Sequence, residues 1–282
     1  MATESLSNKK NWDKCYLIEN TLENELNLER EHPVSKTQWF ETLKLSLTNR
    51  FESLNALKSI ELGSGTGKIS LSFARLGVET FLIDYSEEAL SLSKKIFEKN
   101  LTNEQMKKVH FIIGDITDLS PSFFNQFDFS FSSGVAEHFI GDTRKEVILN
   151  HFKVLNNNGL TFIAVPNYNC PFYWLHRKIS KNRGWNEYDE IPFSRREIRS
   201  LIEVNDYEFI KIFGQNLFGD LFWLFPPLSL SIKLITGSDN KNVQQFENNL
   251  MYFFLSKKTI FGHYFGYSIT LIAGKSKANG FR

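Results

Sequence analysis

Cysteines, long apolar runs and an apolar leader are scarce or missing in this sequence. Its 282 residues include two cysteines, Cys15 and Cys170, which lie far apart and without the spacing of a metal site. A disulfide framework is therefore not expected, and a reducing cytoplasm is the predicted compartment. The longest apolar run, residues 221–235, is too short for a membrane span and contains two prolines and a lysine. The polar N-terminus shows no secretory signal.

An excess of positive charge is also missing. The chain carries 33 Lys and Arg residues against 32 Asp and Glu residues. Nucleic-acid-binding proteins normally show a basic excess or a basic stripe, so the composition argues against that class. Phenylalanine, in contrast, is abundant, with 27 residues in an aromatic fraction of 15%. We expect these rings to form core and, in part, to line an apolar pocket.

The pattern of apolar residues divides the chain near residue 58. Residues 1–58 read as a helical segment, whereas from residue 59 short β runs alternate with helices. Seven candidate strands then fit one mostly parallel sheet with helices on both faces, a doubly wound α/β fold over residues 59–282. Apolar residues at helical spacing define one buried face in the N-terminal segment: Trp39, Leu43, Leu47, Phe51 and Leu54.

Two irregular, aromatic-rich segments interrupt the alternation, at about residues 167–192 and 215–266. They follow the fifth and sixth candidate strands. Since ligands of such sheets bind beyond the carboxyl ends of the strands, we expect the two insertions to form a lid or a substrate pocket.

The segment ELGSGTGKIS, residues 61–70, places three glycines directly after the first strand-like run. A phosphate-binding G-x-x-x-x-G-K-[ST] loop does not fit, because Leu62 stands at its first glycine and Ile69 at its hydroxyl position. A dinucleotide-binding G-x-G-x-x-G is closer, but its sixth position is Lys68. The third interpretation is an acid followed by G-x-G-x-G, with no pyrophosphate to bind and no ligand contact for Lys68.

Acidic residues at three successive strand ends favour this third interpretation. Glu61 precedes the glycines, Asp84 ends the second candidate strand and Asp115 follows the third. In these features the sequence resembles the class I S-adenosylmethionine-dependent methyltransferases, whose motif E/D-x-G-x-G-x-G is matched by ELGSGTG. The resemblance spans about residues 59–167. It implies a Rossmann-like fold, S-adenosylmethionine as cofactor and S-adenosylhomocysteine as product.

The resemblance also implies a role for each residue. The glycine loop would seat the methionine end of the cofactor, with Glu61 balancing its ammonium. Asp84 would hold the ribose hydroxyls, with Tyr85 against the adenine ring. Asp115 would contact the adenine amine, with Ile116 beside the ring. The predicted cofactor-binding residues are Glu61, Gly63, Gly65, Gly67, Asp84, Tyr85, Asp115, Ile116, Ser133 and Gly134.

An acid–histidine pair, Glu137 and His138, follows the fourth candidate strand. His138 is the predicted catalytic base for an acceptor that must lose a proton. The alternative is a first-turn histidine that packs or caps a helix. Some relatives with E-x-x-E-H at this place bind a divalent ion. Because Gly134 replaces the first of those acids, the sequence offers too few ligands and no metal is predicted.

The methyl acceptor is expected among the aromatic side chains of the two insertions. The alternative is a lid core that does not touch substrate, and Trp185, Phe218 and Phe225 are further aromatic candidates. The predicted substrate residues are Glu137, Tyr168, Tyr173, Trp174, Phe222 and Trp223.

The sequence thus predicts an S-adenosylmethionine-dependent methyltransferase that acts on oxygen, nitrogen or carbon of a small, hydrophobic or aromatic metabolite. A methyltransferase of RNA or protein is the enzymatic alternative, and a non-catalytic S-adenosylmethionine-binding subunit is the other. The predicted partners are a small-molecule acceptor and, as one assembly compatible with the sequence, a second copy of the chain in a homodimer. Nucleic acid and a membrane span are not expected.

Overall fold

Helices occupy much of the N-terminal segment that the structure describes. A computed structural model describes residues 13, 16, 21–31, 33–182, 190–205, 207–215 and 264–275. Within them, α1 covers Thr21–Glu31 and α2 covers Gln38–Thr48. Helix α2 begins where the Thr37 side chain accepts the backbone N–H of Phe40.

The buried face of α2 is shorter than the sequence predicts. Leu43 and Leu47 are fully buried on it, but the helix ends at Thr48, before Phe51 and Leu54. Both of these side chains still pack against the same core cluster from the turn that follows. The apolar spacing therefore identified core positions correctly and overestimated the length of the helix.

Seven strands of the described chain form one sheet, in the order β3-β2-β1-β4-β5-β7-β6. Strands β1 to β5 pair in parallel, and β7 runs antiparallel to both of its neighbours. The predicted doubly wound, mostly parallel sheet is confirmed. The strands are β1 (Lys58–Leu62), β2 (Glu79–Asp84), β3 (Val109–Ile113), β4 (Phe127–Ser133), β5 (Leu155–Pro166), β6 (Glu208–Gln215) and β7 (Ser268–Gly274).

Helices connect the parallel strands, and several have polar caps that the sequence signals. The Ser86 side chain accepts the N–H of Ala89 at the start of α4, and Ser194 accepts that of Glu197 at the start of α8. The helices are α3 (Lys68–Arg75), α4 (Glu87–Asn100), α5 (Asn103–Met106), α6 (Gly141–Lys153), α7 (Pro171–Asn182) and α8 (Arg195–Val204).

Many of the phenylalanines are core residues. Phe40 of α2 and Phe73 of α3 meet with ring centroids 4.7 Å apart, and Phe73 contacts Phe129 and Phe131 of β4 at 4.8 and 5.6 Å. All four rings are at most 1% exposed. Since a buried phenylalanine contributes about 2–3 kcal/mol by removal of its surface from water, this cluster holds α2 and α3 against the sheet.

The order of the strands reverses between β1 and β4. From β1 the chain moves through β2 and β3 in one direction, and from β4 through β5 in the other. Ligands of doubly wound sheets bind at such a switch point, beyond the carboxyl ends of the strands. The loops that leave β1 and β4 here are the glycine loop and the turn carrying Glu137 and His138.

The two predicted insertions are described in part. Helix α7 lies in the first, whereas residues 183–189, 216–263 and the predicted substrate residues Phe222 and Trp223 lie outside the described residues, as do Trp185, Phe218 and Phe225. In the part of the chain that the structure describes, no helix is long and apolar enough to cross a membrane.

Candidate active site

The glycine loop joins β1 to α3 in a conformation that requires glycine. Gly63, Gly65 and Gly67 have φ angles of 72°, 52° and 68°, a region that other residues enter at a cost. Space is restricted too. A Cβ atom on Gly67 would lie 2.4 Å from Leu82 Cδ2, and one on Gly63 would lie 2.9 Å from Val135 Cγ2. The loop is therefore packed tightly on β2 and on the turn after β4.

Glu61 lies under this loop, buried near the end of β1. Its Oε2 accepts hydrogen bonds from the Ser70 hydroxyl, at 2.6 Å, and from the Ser70 backbone N–H, at 3.3 Å. Burial raises the pKa of Glu61 from 4.5 to about 8, against the opposing effect of the two hydrogen bonds. A carboxylate that is costly to ionise in the protein alone is suited to a cationic ligand.

This shift predicts a pH-dependent stability. Between pH 4.5 and 8 the folded protein retains a proton on Glu61 that the unfolded chain has released, so the free energy of unfolding falls as pH rises. We expect Glu61→Gln to reduce this fall by on the order of 2 kcal/mol. Urea unfolding at pH 5 and pH 8 measures it. Glu98→Gln, on an exposed face of α4, is the control, and an unchanged pH dependence in Glu61→Gln would contradict the prediction.

Asp84 ends β2 beside the loop. Its Oδ2 accepts the N–H of Gly65 at 2.8 Å and its Oδ1 accepts the N–H of Ser86 at 2.9 Å. Burial raises the pKa of Asp84, and both backbone hydrogen bonds act against the increase. The side chain therefore connects the end of β2 to the middle of the glycine loop.

Tyr85 follows β2 and Asp115 follows β3, at the same edge of the sheet because these strands are parallel neighbours. Burial raises the pKa of the Tyr85 phenol, and the carboxylates of Asp84, Asp13 and Asp115 raise it further. The Asp115 side chain is exposed, and its Oδ1 accepts the N–H and the hydroxyl of Thr117 at 2.8 and 2.7 Å. The structure thus brings three acids around one phenol at the ends of β2 and β3.

Ile116, predicted to lie beside the adenine ring, follows Asp115 and is largely buried. Ile116 is 7% exposed and belongs to the main core cluster. Its backbone carbonyl accepts the side-chain N–H of Asn150 at 2.8 Å. A role for Ile116 beside the adenine ring stays a prediction.

The N-terminal segment also reaches the glycine loop, which the motifs did not predict. The Tyr16 hydroxyl lies 2.8 Å from the position of a Cβ on Gly65, and Asp13 is close enough to raise the pKa of Asp84. Lys68 forms an ion pair with Glu25 of α1 at 2.5 Å. The interpretation that Lys68 has no ligand role fits this contact, because its charge holds α1 against α3.

The turn after β4 carries the acid–histidine pair in buried surroundings. Ser133 ends β4, Gly134 follows it at a φ of 73°, and Ala136–His138 form a single 3-10 turn. Glu137 and His138 are 2% and 6% exposed. Burial raises the pKa of Glu137 to about 8, the carboxylate of Glu190 raises it further, and Arg144 opposes the increase.

The comparison with protein families decides the identity. A family model described as "Methyltransferase domain" matches residues 54–207, more than half of the 282 residues. This range runs from just before β1 almost to β6 and includes the glycine loop and the acids at the strand ends. The chain belongs to the class I S-adenosylmethionine-dependent methyltransferases. It is an enzyme whose cofactor is S-adenosylmethionine.

Solved methyltransferase structures share this fold at low identity. A candidate sarcosine dimethylglycine methyltransferase from Galdieria sulphuraria is 13% identical with a TM-score of 0.59, over 95% of this chain and 99% of that one. Magnesium protoporphyrin IX methyltransferase from Synechocystis, with bound S-adenosylhomocysteine, is 14% identical with a TM-score of 0.56, over 95% and 93%. The plantazolicin methyltransferase BpumL is 18% identical with a TM-score of 0.55, over 95% of each chain. No curated protein matches the chain.

Three of the aromatic side chains predicted for the acceptor lie at or just before the start of α7 in this methyltransferase. Tyr168 and Trp174 are 53% and 42% exposed and meet edge to face at 5.4 Å. Tyr173, in contrast, is 1% exposed, and its ring packs against Trp174 and Tyr267 at 5.3 and 5.4 Å. Tyr173 is therefore a buried residue that packs beneath Trp174, whereas Tyr168 and Trp174 expose apolar surface to solvent.

Asn167, which no sequence motif indicated, organises this end of the sheet. Its side-chain N–H groups donate to the carbonyls of Tyr264 and Gly266 at 3.0 and 2.8 Å. Its backbone also bridges to Phe193. The buried amide thus joins the end of β5 to the chain entering β7 and to the segment before α8. Its position directly after an apolar strand was the available signal.

Proposed function

We propose that this methyltransferase modifies a small, apolar or aromatic molecule that binds beyond the end of β5. The observation that carries this proposal is a group of exposed apolar side chains from three separate segments around Asn167. These side chains suit an apolar acceptor, because small-molecule sites are lined mainly by apolar and aromatic groups. They are Tyr168, Trp174, Leu175, Ile191, Tyr264 and Phe265.

The cofactor site is proposed along the ends of β1, β2 and β3. Glycines in the loop allow the backbone to approach the methionine end closely, and Glu61 supplies negative charge beneath its ammonium. Asp84 offers two carboxylate oxygens to the vicinal ribose hydroxyls, which are donors without charge. Asp115 is exposed toward the adenine end, and Tyr16 closes the site from the N-terminal side.

The residues of the chain act mainly by position and by proton transfer. Bound S-adenosylmethionine supplies an electrophilic methyl group, and its sulfonium sulfur is the leaving group, which becomes a neutral thioether. Aligning the acceptor with this methyl group in a pocket that excludes water accounts for a large part of the rate. When the acceptor is a hydroxyl, His138 takes its proton as the new bond to carbon forms. Glu137, adjacent and buried, orients the acceptor.

The substrate class can be tested directly. The purified enzyme is incubated with S-adenosylmethionine labelled in the methyl group and with a cell extract separated into small-molecule, RNA and protein fractions. We expect label in the small-molecule fraction, in compounds that partition into organic solvent. Label confined to RNA or protein would overturn the proposed acceptor, and no label in any fraction would favour a non-catalytic subunit.

The proposed base predicts a specific kinetic defect. His138→Gln should lower kcat for a hydroxyl acceptor by about 100-fold, a typical contribution of general base catalysis, with little change in binding of S-adenosylmethionine. Initial rates with a hydroxyl acceptor from pH 6 to 9 measure it. His110→Gln, on β3 and paired with Glu79, is the control. An unchanged rate across this range would remove His138 from the mechanism.

A further inference from the structure

Three side chains that can ligate a metal meet at the turn after β4. Glu137, His138 and Glu190 each place one ligand atom within 4.8 Å of the others. The first two are buried and Glu190 is half-buried. We propose that these residues bind one divalent metal ion on the acceptor side of the methyltransferase site.

The position of Glu190 is set by backbone contacts. The N–H of Ile191 donates to the Glu137 carbonyl at 2.8 Å, which attaches residues 190–193 to the turn that carries the other two ligands. Arg144 of α6 donates to the carbonyls of Ile191 and Pro192 at 2.9 and 3.2 Å. Glu190 therefore comes from 52 positions beyond His138 in sequence and is fixed beside it in space.

The surroundings of Glu137 call for a cation. Its side chain is 2% exposed, and among the described residues its Oε2 has no hydrogen-bond partner. A buried carboxylate is stable when it is paired or bound to a metal. The Arg144 guanidinium acts on it, but its Nε donates to Glu197 at 2.9 Å and its terminal nitrogens donate to backbone carbonyls. A bound ion would give Glu137 Oε2 the partner that it lacks among the described residues.

Glu190, the other acid of the proposed metal site, is oriented by contacts with Tyr173 and Arg177. The Tyr173 hydroxyl is hydrogen-bonded to the Glu190 carboxylate, and Arg177 donates to that hydroxyl at 3.0 Å. Arg177 also donates to the Glu190 carbonyl. Outer hydrogen bonds of this kind fix the orientation of a ligating carboxylate. They also explain why Tyr173 is buried although its neighbours Tyr168 and Trp174 are not.

Two carboxylates and one imidazole suit a first-row divalent ion such as Mn²⁺ or Zn²⁺. With ligand bonds of about 2.1 Å, donor atoms on one ion lie roughly 3–4 Å apart, so a set that lies within 4.8 Å closes by roughly 1 Å to hold one ion. Three protein ligands leave coordination positions for solvent and for an oxygen of the acceptor. Glu190 supplies a third possible ligand, which the sequence lacks next to Glu137 because Gly134 stands where some relatives have an acid.

A metal ion here would extend the proposed function. Only its role toward the acceptor rests on that proposed function. An acceptor hydroxyl held by the metal becomes more acidic and loses its proton more readily to solvent. His138 would then ligate the ion and would not act as the base. Metal binding itself needs neither cofactor nor acceptor.

Electron paramagnetic resonance of Mn²⁺ tests the proposal on the full chain, after treatment with a chelator and without S-adenosylmethionine. We expect one Mn²⁺ per chain, displaced by Zn²⁺, with an affinity at least tenfold weaker in Glu137→Gln and in Glu190→Gln. Glu197→Gln is the matched control, because this carboxylate also contacts Arg144 but lies outside the set, and it should bind Mn²⁺ as the unchanged chain does.

Binding of S-adenosylmethionine by the same proteins separates the two proposals. An unchanged chain that binds S-adenosylmethionine but neither Mn²⁺ nor Zn²⁺ at millimolar concentration would overturn the metal site and leave His138 as the base. Equal Mn²⁺ affinity in Glu190→Gln and the unchanged chain would overturn it too. Thermal unfolding of each variant verifies that it is folded, and Glu190→Gln, with a half-buried side chain, is expected to remain so.

Discussion

Replacing Gly67 with alanine is expected to lower the free energy of unfolding by about 2–5 kcal/mol and to eliminate measurable binding of S-adenosylmethionine. Gly67 has a φ of 68° at the start of α3, a conformation that costs a residue with a side chain about 1–2 kcal/mol. The new methyl group would also lie 2.4 Å from Leu82 Cδ2 and 2.9 Å from Ser93 Oγ. Overpacking of a buried site adds about 1–3 kcal/mol.

Urea unfolding and calorimetry with S-adenosylmethionine measure the two effects. Gly77→Ala is the matched control, because Gly77 also has a positive φ, 86°, and a Cβ there would lie 3.1 Å from Asn55. It follows α3 at the opposite end from the glycine loop. We expect Gly77→Ala to destabilise the protein by about 1–2 kcal/mol and to retain cofactor affinity. Full affinity in Gly67→Ala would show that the loop adapts.

The fold could be predicted from sequence because its signals are local. Apolar runs of five to eight residues alternate with capped helices, and each strand lies close to the position that its pattern indicates. The exception is β5, which begins at Leu155 although the apolar run starts at Gly159. Residues 156–158 are three asparagines, poor strand formers, and they lie where the register between β4 and β5 shifts, between the pairs Phe127–Leu155 and Phe129–Leu160.

The placement of three acids at one edge of the sheet could also be predicted from sequence, whereas the placement of Glu190 beside Glu137 and His138 could not. Glu61, Asp84 and Asp115 each follow an apolar run, so the parallel topology alone places them at one edge of the sheet. Glu190 has no such signal. It stands in an irregular segment, and the contact that brings it to Glu137 depends on how residues 190–193 pack against α6.

The contacts of the N-terminal segment could not be predicted from sequence either. Asp13 and Tyr16 are three positions apart, a spacing that places them on one face of a helix, but nothing in the sequence indicates which surface that face covers. The ion pair of Glu25 with Lys68 and the pairing of Glu29 with Arg75 supply the answer, since both attach α1 to α3. Charge complementarity between distant helices is visible only once the fold is known.

The second large effect is expected for Asp84→Ala, which should weaken the binding of S-adenosylmethionine by about 1,000-fold. Two hydrogen bonds from the ribose hydroxyls to a carboxylate contribute about 1.5–3 kcal/mol each. The substitution also removes the acceptor of the Gly65 N–H, which leaves the middle of the glycine loop untethered. Asp115→Ala, at an exposed position with a single proposed contact, should cost about tenfold.

Calorimetry of the two variants and of Asp84→Asn tests this ranking. The amide of asparagine keeps one acceptor oxygen, so its affinity should fall between those of the alanine variant and the unchanged enzyme. Affinity in Asp84→Ala equal to that of the unchanged enzyme would remove this residue from the cofactor site. Urea unfolding is measured together with calorimetry. Burial raises the pKa of Asp84, so its ionised carboxylate is unfavourable in the protein without bound cofactor. We expect Asp84→Ala to change the free energy of unfolding far less than it changes the free energy of binding, because a buried carboxylate at this strand end is costly without the ligand that it serves.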